Sequence, residues 1–360
     1  MHRLAPAALA GAIAAALLAA GSAPGAPPGS RYTVTPLVSD IPGAAAVTDP
    51  NVHNAWGLAR SGTSPWWIAD NGTNKTSVYT GAGALVQIGG INAQGVPGAP
   101  TGAVFAGIAN QFQVATTASA TLGAANFIFA SEDGTISAWR GGSTAALVTV
   151  NMTASGASFK GLAISNGAPG PRLYAADFGK GTVDVFDGGW NPVNTPGAFV
   201  DPALPKGFAP FGIQTIGPRV FVSYAIQGPD GDEIDRPAAG IVDVYDLNGA
   251  FLHRVASHGT LNAPWGLAQA PPGWGARGGD LLVGNFGNGA IHAFKEDPTT
   301  GEFEYDGALW GTDGKKLVID GLWALEFGNA GSNGNPQTLY FTAGPNDEED
   351  GLFGTLTPSS

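Results

Sequence analysis

Five oxygen-bearing side chains stand at matching points of the chain: Asp70, Asn71, Glu132, Asp177 and Asn285. Each ends a short apolar run, in "WWIADNG", "FIFASEDG", "LYAADFG" and "LLVGNFG". Carboxylate and amide oxygens suit a hard cation, with about six to eight ligands for Ca²⁺, or fewer for Mg²⁺ with its retained waters. A cation held there would polarise a carbonyl or a bound water. His53, just before "NAWGLA", and His258, in "SHGTLNAPWGLA", approach the same place in two segments. Either is a candidate general base, because imidazole titrates near neutral pH. The competing reading is purely architectural. Asp or Asn beside Gly is what a tight turn requires, since these residues tolerate left-handed backbone and cap their own turns.

These residues recur in register, so the elements that carry them must recur too. Aligning the apolar runs gives a column of Asp70, Ser131, Asp177, Tyr224, Asn285 and Ala343, followed by Asn71, Glu132, Phe178, Ala225, Phe286 and Gly344. A second marker precedes each run: "AWGLA", "FAGIA", "FKGLA", "PFGIQ", "PWGLA" and "GLWALE". Its glycines are Gly57, Gly107, Gly161, Gly212 and Gly266, with Ala324 in the last place, roughly 50–58 residues apart. A third run alternates apolar and polar residues, as in "TISAW", "TVDVF" and "AIHAF". Six repeats starting near residues 54, 105, 159, 209, 263 and 321, each with three or four short strands, predict an all-β six-bladed β-propeller over residues 30–360. A pair of β-sandwiches would not explain so regular a period. "YTVTPLVS", Tyr32 to Ser39, is expected to add an outer strand to the last blade and close the ring. The small-residue stretch from Thr153 to Lys160 reads as a connection between blades. Second-strand ends and first-strand starts share one end of each blade, so Trp56, Phe211, Trp265 and Trp323 are expected around the same axial funnel. Trp56, Tyr224, Trp265 and Trp323 are candidate ligand-binding aromatics there.

Composition agrees with many short strands joined by tight turns: 56 Gly, 27 Pro and only 12% charged residues in 360. Residues 1–26 read as an export signal, with Arg3 ahead of an Ala/Leu run and small residues at the cleavage region. The apolar run from Ala7 to Ala20 is shorter than the ~20 residues a membrane span needs. A secreted, extracellular monomer with no membrane span after processing is expected. The net charge of −12 argues against nucleic acid and anionic membranes as partners. With no Cys, a large core must supply the stability that disulfides give smaller exported domains. No G-x-S-x-G elbow or phosphate-binding Gly loop occurs, which disfavours acyl-enzyme and nucleotide chemistry.

Two acidic loops accompany the repeats. "GPNDEED", Gly344 to Asp350, reads as a solvated loop able to hang over the funnel. "QGPDGDEIDRPAAG" carries Asp230, Asp232, Glu233 and Asp235, is longer than its counterparts and is placed to cover the site. His292 reads as structural on its strand, and His253 has no assigned role.

The segments "NAWGLA", "SEDGTISAW", "YAADFGKGTVDVF", "APWGLA", "GNFGNGAIHAF" and "FTAGPNDE" together resemble a family of secreted bacterial six-bladed propellers of unassigned function, with NHL-like and gluconolactonase-like repeats. The resemblance covers the chain after the signal. It implies the propeller fold, and the lactonase-like members imply a metal held by acidic and amide side chains. Their Glu/Asn/Asn/Asp pattern is not reproduced residue by residue. Some members carry a C-terminal sorting tail, whereas no hydrophobic span follows "DEEDGLFGTLTPSS", so release is expected. Two functions follow as expectations. One is binding of a small molecule, glycan or protein at an acidic and aromatic funnel. The other is a calcium-dependent lactonase- or esterase-like hydrolysis, with His53 or His258 moving the proton.

Overall fold

The computed structural model describes residues 29–359, and the segment read as an export signal lies outside them. Six small antiparallel sheets stand around one axis as the blades of a β-propeller. Blade one is built from Ala55–Ala59, Trp66–Asp70, Lys75–Tyr79 and Ala93–Gly95. Blade two runs Pro100–Phe105, Phe127–Ser131, Thr135–Trp139 and Leu147–Asn151, with a hairpin of Gln113–Thr116 and Ser119–Ala124 inserted after its first strand. Blade three has three strands, Phe159–Ser165, Arg172–Asp177 and Thr182–Asp187. Blades four and five have four each and begin at Phe208–Ile216 and Pro264–Gln269. Blade six consists of Leu322–Phe327, Leu339–Ala343 and Leu352–Pro358, and its fourth strand is Arg31–Ser39. That strand pairs antiparallel from Tyr32↔Pro358 to Ser39↔Leu352, so the ring is closed by the N-terminal strand, as expected. Among the described residues no helix is long and apolar enough to cross a membrane.

The first strands line the axis, each touching the first strand of the next blade, and that of blade six returning to blade one. The marker glycines allow this close approach. A Cβ at Gly161 would fall 2.9 Å from the carbonyl oxygen of Phe211, and at Gly57, Gly102, Gly212 and Gly266 it would fall closer still to backbone of the next blade. In blade two the equivalent glycine is therefore Gly102, not Gly107. Gly107 lies beyond the strand with φ +53°, and a Cβ there would meet the Phe105 ring. Side chains between blades form the core, as where Trp67 stacks on Phe127 at 4.2 Å and meets Trp139 at 4.6 Å.

Candidate functional site

In every blade the end of the second strand pairs with the start of the first: Asp70 with Ala55, Ser131 with Pro100, Asp177 with Phe159, Tyr224 with Pro210, Asn285 with Pro264, and Ala343 with Leu322. Just beyond that pair the register slips, leaving a bulge in the first strand. Bulges re-aim side chains. The residues at this point are Trp56, Thr101, Lys160, Phe211, Trp265 and Trp323. Four aromatics among them close the axis as a packed plug. Trp56 stacks on Trp323 at 3.4 Å, Trp265 meets Trp323 edge-on at 5.8 Å, and Phe286 stacks on Trp323 at 4.0 Å. Trp56, Phe211, Trp265 and Trp323 are buried, and Phe286 is half-buried against them.

Lys160 is the one charged side chain in this ring. Its side chain is only 2% exposed, and its ammonium lies 5.2 Å from the centre of the Trp56 ring. The Nζ donates to Glu132 Oε1 at 2.5 Å and to Asp232 Oδ1 at 3.1 Å. Burial alone would lower its pKa, but Glu132, Glu233 and Asp232 outweigh burial and hold it above the usual lysine range. It is a fixed positive charge, unsuited to act as a nucleophilic amine. From Glu132 the network continues: Asn71 Nδ2 donates to Glu132 Oε2 at 2.9 Å, and Asn54 Nδ2 donates to Glu348 Oε2 at 2.6 Å. The Trp323 indole N–H donates to Asn54 Oδ1 at 3.2 Å, tying the network to the plug. Asn54 holds its place with a left-handed φ of 45°.

Both acidic loops reach this end of the axis. Asp232, Glu233 and Asp235 from one, Asp347 and Glu348 from the other, and Asp320 line a cavity of about 420 Å³ that also exposes Phe286 and Asn288. Burial lifts the Glu233 carboxyl to about 7, even though Lys160 pulls it down. Burial likewise raises Glu348. Two carboxyls beside this cavity therefore keep protons at a pH where exposed ones would have lost them.

The residues singled out from sequence divide into two groups. Asn71 and Glu132 meet, and Trp56, Trp265 and Trp323 meet in the plug beneath them. The others serve their own blades. Asp70 is fully buried beside Ser77, and burial pushes its carboxyl well above the usual range. Asp177 Oδ1 accepts the backbone N–H groups of Ser158 at 3.1 Å and Lys180 at 3.0 Å, a turn-forming arrangement. Asn285 donates to the Thr260 carbonyl at 2.8 Å and to Asn288 at 3.1 Å. The Tyr224 hydroxyl meets that of Tyr245 at 2.6 Å in the core. His53 Nδ1 lies 2.7 Å from Asp40 Oδ2, and the ring packs over Gly72. His258 sits in a turn with φ 59°, its Nδ1 3.0 Å from the Ala238 carbonyl. His292 is buried near Tyr305, with its pKa lowered by burial to about 4.

The five oxygens read from sequence as cation ligands are thus divided, Asn71 and Glu132 in the network and Asp70, Asp177 and Asn285 within their own blades. Asp177 Oδ1 caps a turn, the Asn285 amide N–H groups are spent on Thr260 and Asn288, and the Lys160 ammonium already stands against Glu132. Among the described residues no three His, Cys, Asp or Glu side chains are placed to hold a metal ion. Sequence reasoning missed Lys160 and Asn54, and named Glu233 only as part of a covering loop. Lys160 was legible: "FKGLA" puts it in the same column as Trp56, Phe211 and Trp265, directly before the marker glycine, and not in a connection between blades.

The chain is 11% identical to the apo form of the soluble aldose sugar dehydrogenase of Escherichia coli, with a TM-score of 0.53 covering 91% of this chain and 100% of that one. It is equally 11% identical to virginiamycin B lyase from Staphylococcus aureus, with a TM-score of 0.51 and the same coverage of both chains. At this identity the likeness concerns the fold alone. No family model matches the chain. Two proteins of Acanthamoeba polyphaga mimivirus match it along most of its length. Uncharacterized protein L690 is 30% identical over 338 residues, covering 90% of this chain and 85% of L690. Uncharacterized protein R648 is 31% identical over 333 residues, covering 89% and 78%. These relatives are viral, where the resemblance pointed to secreted bacterial proteins. By this likeness over nearly its whole length, the chain belongs to the same family as L690 and R648.

Proposed function

We propose that this protein is a binding propeller that takes a cationic organic group, an amine or guanidinium, into the acidic cavity at the plugged end of its axis. The observation that carries this reading is the lining: six carboxyl side chains around about 420 Å³, with the Phe286 ring among them. A cation there gains charge complementarity from the loops and the face or edge of an aromatic ring. Lys160 supports the reading from below, because it engages Glu132 and Asp232 and leaves the other loop carboxyls for a ligand. In keeping with the N-terminal segment, we place this activity outside the cytoplasmic membrane. Isothermal titration with spermidine and arginine ethyl ester, against glucose as a neutral control, tests it. Binding of the two cations, weakened by salt and by Glu348→Gln, is expected. Equal responses to cations and glucose, or no heat from any of them, would refute it.

Glu233 favours a second reading. A carboxyl with a pKa of about 7 in a cavity is equipped for general acid–base work. The hydrolase expectation then survives as a lactone or ester hydrolysis in which Glu233, rather than His53 or His258, moves the proton. Turnover of a lactone panel, lost in Glu233→Gln with melting temperature kept, would rank this reading first.

A further inference from the structure

Blade three stops one strand short. Its third strand, Thr182–Asp187, pairs along one edge with Arg172–Asp177, and among the described residues no strand pairs with its other edge. Blade one supplies a template for what is missing. There the chain leaves the third strand at Tyr79 and bridges back at Leu85, and the Val86 N–H donates to the Val78 carbonyl at 2.7 Å. Blade three takes the same steps: Phe186 bridges Pro192, and the Val193 N–H donates to the Val185 carbonyl at 2.7 Å. Tyr79 and Phe186 occupy equivalent positions, opposite Trp66 and Leu173.

Beyond that point the two blades part. In blade one the chain returns as Ala93–Gly95 and pairs with Lys75, Thr76 and Ser77. In blade three the corresponding residues, Thr182, Val183 and Asp184, receive no such strand. The Val185 carbonyl faces the outer edge, so the two-residue period of a strand turns the N–H and C=O of Val183 to the same edge. Beside it lies a cavity of about 300 Å³ walled by Met152, Val185, Val193, Phe199 and Val200. Val200 is an apolar side chain left 56% exposed on its rim.

We propose that this edge accepts an extended segment of another polypeptide as the fourth strand of blade three, paired through Val183 and seating an apolar side chain in the cavity. Strand addition of this kind draws affinity from main-chain hydrogen bonds and selectivity from pockets for alternate side chains. Charge selects the partner. Asp184, the charged residue in the cavity lining, is already held by Lys180 at 2.8 Å, so the selection comes from the chain as a whole, whose net charge of −12 a second copy would bring to the edge. A segment combining apolar and basic residues is the complementary occupant.

The probe is a fluorescent peptide with the sequence of residues 146–151, the fourth-strand region of blade two, preceded by two lysines. Fluorescence anisotropy with the full protein should show saturable binding. N-methylation of alternate peptide amides, which removes the strand bonds and keeps the side chains, should weaken binding by about tenfold or more. A version led by two glutamates should also bind more weakly. Val183→Pro removes the outward N–H at an edge position where proline is tolerated, and should abolish binding with melting temperature retained. If that variant fails to fold, the N-methylated peptide still decides. Absence of binding, or equal binding of the N-methylated peptide, would overturn the proposal. Concentration-dependent dimers of the protein alone that Val183→Pro disperses would also overturn it, by giving the edge to a second copy.

Discussion

Replacing Lys160 with methionine removes the ammonium while keeping most of the stem over Trp56. Breaking a fully buried ion pair from one side costs roughly 3–5 kcal/mol, because a charge is left stranded. Here the partners are less confined: the Glu132 side chain is 30% exposed and that of Asp232 67% exposed, so water can reclaim both. The expected loss is therefore smaller, about 2 kcal/mol at neutral pH, including the lost attraction to the Trp56 ring at 5.2 Å. On a domain of this size that is a drop of roughly 3 °C in melting temperature. The deficit should grow with pH, because Lys160 pulls the Glu233 pKa down and its removal raises the cost of ionising that carboxyl. Calorimetric melts of the native protein and Lys160→Met at pH 5 and pH 8, each with calcium and with chelator, measure all of this. Glu132, Asp232 and the Asn71 amide, freed of the ammonium, should let calcium raise the melting temperature of the variant and not of the native protein. A native melting temperature that falls in chelator would refute the reasoning, since a metal and not the lysine would then be holding the acids. So would a variant that melts with the native protein at both pH values.

Two further expectations follow from burial and packing. Burial raises Glu233, Asp243, Asp280 and Glu326 each to about 7 in the folded chain, above the value they have when unfolded. Between about pH 4 and 7 the folded state holds protons that the unfolded state releases, so these groups favour folding below that window and lose their contribution as pH rises through about 7. Thermal melts should therefore show higher stability at pH 5 than at pH 7.5, and a flat or rising profile would contradict the sign. At the axis, Gly212→Ala would drive a Cβ into the backbone of Trp265 and should cost about 1–3 kcal/mol in urea unfolding. Gly141→Ala, with open space around it, should be neutral within about 0.5 kcal/mol, and equal effects at the two sites would show that the first strands are not so closely apposed.

The fold was legible because one physical demand recurs six times. Small residues must sit where first strands cross near the axis, and Gly57, Gly161, Gly212 and Gly266 announce that demand in the sequence. Blade two was misregistered because Gly107 follows Phe105 in a phrase that imitates the marker, while the glycine that meets the next blade, Gly102, sits in the unassuming "PTGAVF". The site was legible only in part. The column ending the second strands was aligned correctly, yet it is the following residues, Asn71, Glu132 and Phe286, that reach the mouth of the ring. Side chains of the column itself turn into the blades. Asp177 shows why sequence could not decide the matter: a carboxylate at a strand end suits a cation or a turn equally well, and here its Oδ1 caps the Ser158 and Lys180 backbone. The covering loop from blade four was legible by its length, but the burial that raises the Glu233 carboxyl depends on what the loop folds against, which local pattern does not encode.

The strand pair that closes the ring has a mechanical side. Tyr32 is paired with Pro358, so the first described strand begins and the last one finishes at the same end of the pair. A pull that separates the two ends of the chain would load the bonds at Tyr32 first and then pass the strain along toward Ser39 and Leu352, one pair at a time. Such an unzipping geometry yields at low force, whereas a shearing pull would load all the bonds together. The clasp that resists heat cooperatively is thus easily opened by tension between the two ends, and a pull applied across other blades would meet a stiffer molecule.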